Sequence, residues 1–174
     1  MSEHAILTLL GIAGIAATFA GFSGVVAVFG GRALGHWAPE ERTRMINLII
    51  LSLSACSLSF LPITVDLFKV SEFTIWMSTS VVFCIFSGCY FVYAFCTTQK
   101  LLRNRKTKVV MWVRVAFMTL LPMATVLQII NIFGIGNERG PGPVVAGLVL
   151  ILTLAGVQFA YLVLDPVRAE HGNR

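Results

Sequence analysis

Five long apolar runs, separated by short polar connections, leave this chain few folds. They cover about 5–29, 46–68, 73–96, 109–133 and 144–164 of the 174 residues. A helix needs about 20 residues to cross a hydrocarbon core of about 30 Å, and each run reaches that length. Lipid offers no hydrogen bonds, so the backbone must satisfy itself, which a helix does within one segment. The pattern predicts an all-α integral membrane protein, a bundle of five transmembrane helices forming a single domain over 1–174. Composition agrees, with 57% of residues hydrophobic and 12% charged. Soluble domains average about 25% charged, and half that charge cannot cover a soluble protein of this size. No connection is long enough to fold as a soluble domain. The first run follows only Met1-Ser2-Glu3-His4. It lacks a basic leader and exceeds the apolar core of a signal peptide, about 7–15 residues, so it reads as a retained span.

The few charges fix an orientation. Ten basic residues fall on one side: Arg32, Arg42 and Arg44 in the first connection, Lys100, Arg103, Arg105, Lys106 and Lys108 in the third, and Arg168 and Arg174 in the tail. The other side holds Lys69 and Arg139. Basic connections stay in the cytoplasm, so the N-terminus is expected outside and the C-terminus inside. The expected location is a bacterial cytoplasmic (inner) membrane. Lys100, Arg103, Arg105, Lys106 and Lys108 are expected to contact anionic lipid headgroups. The net charge of +5 thus reads as an orientation signal and not as a nucleic-acid footprint. Trp37, Trp76 and Trp112 sit near run ends, where tryptophan anchors a helix at the interface. Pro39-Glu40-Glu41 reads as a helix start, because proline fits the first position and acids suit the positive end of the dipole. Cys56, Cys84, Cys89 and Cys96 lie within apolar runs without a C-x-x-C pair, and read as buried small hydrophobes.

Three features are candidates for function. Gly14, Ala17, Gly21, Gly24 and Gly31 recur at spacings of three and four, with Val28 filling one step, and so share a face of the first helix. Small residues let helices approach closely in lipid. The stripe predicts a tight seam within the bundle or, more sharply, a seam between subunits or a narrow pore. An inner polar layer comprises Arg114, Gln158 and Tyr161, with Tyr93 and Asn47 at similar depth. Arg114 either snorkels to lipid phosphates or binds Gln158 and Tyr161 to hold an anionic ligand. An outer layer comprises Asp66, Gln128 and Asn131. Ser52, Cys56 and Ser59 share roughly the Asp66 face, and Pro62 and Pro122 interrupt two of the helices. An acid within a span is a functional candidate, while Lys69, three residues on, offers Asp66 a simple ion pair.

Chemical signatures of an enzyme are missing. The chain has no phosphate-binding glycine loop, no H-E-x-x-H, no G-x-S-x-G and no paired intramembrane carboxylates. His4, His36 and His171 are far apart in sequence. No catalytic activity, cofactor or metal is expected. One five-helix bundle has little interior, which predicts a homo-oligomer or association with other membrane subunits in the lipid bilayer. The leading expectation is an oligomeric channel or transporter for ions or small solutes. The alternative is a non-catalytic structural or accessory subunit of a larger membrane complex. Transport requires the polar layers to face water, whereas an accessory role lets them satisfy one another.

Overall fold

The computed structural model describes residues 1–29, 39–103, 111–135 and 139–171, with side chains described for 1–26, 41–100, 114–135 and 139–163. The described residues form five α-helices: α1 Glu3–Phe29, α2 Pro39–Asp66, α3 Glu72–Arg103, α4 Met111–Phe133 and α5 Pro141–His171. All five are long and apolar enough to cross a membrane. α2 starts at the proline that the Pro39-Glu40-Glu41 pattern marked. α2, α3 and α5 each run several residues past the apolar stretch at their more basic end.

Local chemistry explains the helix ends. The backbone N–H of Thr74 reaches Ser71 Oγ at 3.3 Å, and Ile75 N–H donates to the Ser71 carbonyl at 3.1 Å. Ser71 is therefore the N-cap of α3, and Glu72 in the first turn suits the dipole. α4 ends where Gly134 adopts φ +66°, a conformation that side chains other than glycine's resist. Gly134 N–H then returns to the Asn131 carbonyl and Ile135 N–H to the Ile130 carbonyl. This paired closure satisfies two carbonyls that the helix end leaves open.

α5 is the hub of the bundle, for it packs against all four other helices. Its buried residues Val144, Leu148, Ile151, Leu154, Ala155 and Gln158 fill a wide stripe at helical spacing. α2 and α4 flank it, and α3 packs against α4. α1 packs against α2 and α5 and, among the described residues, against no other helix. Hydroxyls within the spans bond back to their own helix, as Thr79 Oγ1 does to the Ile75 carbonyl at 2.8 Å and Ser59 Oγ to the Ala55 carbonyl at 2.7 Å. Such bonds let serine and threonine sit in an apolar medium without a second helix.

Several side chains depart from the sequence reading. Trp76 is no lipid-facing anchor; it is 1% exposed and joins the core, with its ring N–H turned to Glu72 Oε1 at 3.5 Å. All four cysteines are free thiols, but Cys89 and Cys96 are exposed and Cys56 and Cys84 only half-buried. A thiol is small and apolar enough to sit on an exposed helix face as well as in a core. Arg44, counted with the first connection, lies within α2 and is 8% exposed.

Candidate functional site

Gln128 and Asn131 form the centre of a polar seam joining α3, α4 and α5. Both are buried, at 0% and 3% exposure. Gln128 Nε2 donates to the Pro143 carbonyl at 2.9 Å. That carbonyl lies in the first turn of α5. The approach depends on Gly147, where a Cβ would stand 2.5 Å from Gln128 Nε2 and 2.9 Å from the Phe83 ring. Asn131 works in two directions. Its Nδ2 donates to Ser80 Oγ of α3 at 2.8 Å, and its Oδ1 accepts from Gly140 N–H at 3.2 Å. One turn further along, Thr125 Oγ1 donates to Ser87 Oγ at 2.9 Å. The seam is mostly self-satisfied, although Gln128 Oε1 is buried without a partner.

Asp66 does not join this layer. Among the described residues α2 and α4 make no contact, so no path brings the carboxylate to Gln128. Its Oδ1 lies 3.7 Å from the Met1 amino nitrogen, and its side chain is 36% exposed. The i,i+3 ion pair with Lys69 is not formed. Lys69 instead takes φ +54° in the turn after α2, which carries its side chain off the helical path. Asp66 is thus a helix-end acid and not a buried one.

The second layer is also regrouped. Tyr161 of α5 faces Arg44, whose guanidinium carbon lies 5.8 Å from the ring centroid, and not Arg114. Arg114 is half-buried and has no hydrogen bond or ion pair among the described residues. It does not bring Gln158 and Tyr161 together. Helical geometry extends the Arg44–Tyr161 contact. α2 and α5 run antiparallel, so Asn47 and Gln158 each lie one turn deeper on the same side. Both are buried, and Asn47 Oδ1, Gln158 Oε1 and Ser52 Oγ all lack a protein partner. An unpaired buried acceptor costs about 1–3 kcal/mol, so this α2–α5 seam has room in its chemistry for donors from outside the chain. Arg44 is the residue that sequence reasoning missed. Its signal was the i,i+3 spacing to Asn47, which continues the buried face of Leu48 and Leu51 backwards beyond the apolar run. Tyr93 is exposed and takes no part.

Among the described residues the small-residue stripe makes no seam. Gly14, Ala17, Gly21 and Gly24 are all exposed. No atom of a neighbouring side chain or helix lies within 4 Å of the place a Cβ would occupy on Gly14, Gly21 or Gly24. The buried face of α1 is instead Ala5, Leu9, Ile12, Ala13 and Ala16, about a third of a turn away. The helix is apolar on all sides, so hydrophobicity did not mark which face turns inward. Val28 and Gly31 lie outside the described side chains. So do Arg103, Arg105, Lys106 and Lys108, while Lys100 is exposed on the last turns of α3.

Among the described residues no three His, Cys, Asp or Glu side chains are placed to hold a metal ion. No protein-family model matches this chain, and no curated protein and no solved structure is significantly similar to it.

Proposed function

We propose that this chain is a non-catalytic helical membrane subunit whose working surface is the small-residue face of α1, and that the face docks first on a second copy of the chain. The observation that carries this reading is the exposure of Gly14, Ala17, Gly21 and Gly24. In lipid such a face gains nothing from burial of apolar area, but it allows close backbone approach and dense van der Waals contact. The Gln128–Asn131 seam, satisfied within the chain except at Gln128 Oε1, fits the same reading, since a structural subunit has no need to line a water path. The charge pattern supports an orientation with the N-terminus outside, the C-terminus and the Lys100–Lys108 connection in the cytoplasm, and the basic residues on anionic headgroups. The cytoplasmic membrane of a bacterium remains the proposed location.

Subunit counting by photobleaching in bilayers tests the reading. Wild-type chain is expected in groups of two or more, and Gly21→Leu as single chains. Single wild-type chains at every protein-to-lipid ratio would overturn it. Co-purification of a different subunit bound to the same face would replace the second copy by a heterologous partner.

A second reading, an ion or small-solute channel or transporter, draws on the unpartnered oxygens of Asn47, Ser52 and Gln158. Buried acceptors without protein donors are where water enters a bundle. Liposome flux that falls in Gln158→Leu would favour it over the subunit reading.

A further inference from the structure

Glu72 and Arg139 bring opposite charges to one cavity, yet they do not pair. The cavity, of about 660 Å³, is lined by Glu72, Phe73 and Trp76 at the start of α3 and by Gly134, Arg139 and Pro141 around the α4–α5 turn. Its size falls within the range of about 300–1,000 Å³ usual for small-ligand sites. Among the described residues no ion pair joins the two charges. Each is held by something else. Glu72 Oε1 accepts from the buried Trp76 ring N–H at 3.5 Å. Arg139 Nε donates to the Ile132 carbonyl at 2.9 Å, and its guanidinium carbon lies 4.1 Å from the Phe73 ring centroid. These contacts fix the guanidinium plane and, among the described residues, use one of its five N–H donors. The terminal nitrogens keep the forked geometry that matches phosphate or carboxylate. The start of α5 at Pro141 adds the positive end of a helix dipole on the same side.

We propose that this cavity binds a zwitterion with an anionic group and a primary ammonium a few bonds apart, of the phosphoethanolamine kind. Arg139 and the α5 N-terminus take the anion, and Glu72 takes the ammonium. Each charge of the site selects against half of the alternatives. A lone anion meets the Glu72 carboxylate, and a lone cation meets Arg139. The setting suits a lipid headgroup. Phe133 and Ile135, either side of the lining residue Gly134, are 71% and 64% exposed, and Leu67 and Phe68, in the turn that leads into α3, are 78% and 76% exposed. Side chains this apolar and this open belong against acyl chains, which puts the cavity mouth at headgroup depth. A soluble phosphoethanolamine offers the same chemistry.

Native mass spectrometry of the delipidated protein, with phosphatidylethanolamine or phosphatidylglycerol added back, tests the proposal. Wild type is expected to retain the ethanolamine lipid about tenfold better, the scale of one charge-assisted hydrogen bond. Glu72→Gln keeps an acceptor for Trp76 and lies on an exposed turn. It is expected to hold both lipids equally, with glycerol-lipid retention undiminished. Arg139→Gln is expected to lose both lipids. Arg139 also caps α4, so Glu72→Gln decides the matter if that variant is unstable. Displacement by free phosphoethanolamine at millimolar concentration identifies a soluble zwitterion as the ligand, and resistance to it identifies the lipid. Equal retention of the two lipids by wild type overturns the proposal, as does a preference that survives Glu72→Gln.

Discussion

At Gly147 side chains of two other helices crowd the backbone of α5, because the missing side chain is what lets Gln128 reach the Pro143 carbonyl beside Phe83. Neither the Gln128 amide, bonded across helices, nor the rigid Phe83 ring can give way freely. Gly147→Ala is therefore expected to destabilise the bundle by about 1–3 kcal/mol, the usual scale of overpacking. Gly21→Ala, with open space around it, serves as the control and should melt like wild type. Equal melting temperatures in a thermal scan of the two variants would contradict the close approach. Asn131 joins α3 to the α4–α5 turn through two bonds. Asn131→Leu should cost about 0.6 kcal/mol for each bond lost, and more if Gly140 N–H is left dry. Asp66→Asn, at a half-exposed helix end, should leave the melting temperature almost unmoved. Gln158 gives a prediction of opposite sign. Its buried oxygen has no partner, so Gln158→Met is expected to raise stability if that seam is dry. A lower melting temperature would mean that donors, water above all, normally fill it.

α1 is the element whose sequence and packing part company. Its glycines predicted a close seam, and burial shows none among the described residues. Gly21→Leu should therefore leave folding intact and act on association alone, which circular-dichroism melting and subunit counting on one sample would separate. Loss of folding together with association would mean that the helix does pack on its own bundle through that face. The five helices themselves were legible in the sequence, since length and apolarity suffice to define a span. Their neighbours were not. Gln128 and Asn131 share a face by spacing, and the structure brings them together. Asp66 was grouped with them on depth alone, and depth does not say that α2 borders α1, α3 and α5 but not α4. The exchange of Arg114 for Arg44 has the same origin. A lipid-facing surface is as apolar as a buried one, so the pattern of hydrophobic residues that orients a helix in a soluble protein is silent here. Thiol exposure offers a check on the assigned faces. A carbene-generating photoprobe dissolved in the bilayer should label Cys89 and Cys96 more than Cys56 and Cys84, in line with their exposure. The reverse order would rotate α3.

For the whole molecule the order of assembly follows from where the contacts lie. α1 packs on α2 and α3 on α4, so the first four helices form two hairpins from neighbours in the chain. These hairpins meet each other through α2 and α3, while α5 touches all four helices. Each hairpin can pair once its second helix is made, but the core positions facing Leu148, Ile151 and Leu154 stay unfilled until residues 141–163 have been synthesised. Until then Gln128 has no Pro143 carbonyl to meet and Asn131 no Gly140 N–H. A ribosome-stalled chain ending before Pro141 should therefore be inserted yet protease-sensitive, and one extended past α5 should be resistant. α5 acts as a keystone, which makes its synthesis the event that commits these five helices to their final packing. An interrupted product would thus carry a polar mark on an otherwise apolar surface, two amides, Gln128 and Asn131, each short of one partner.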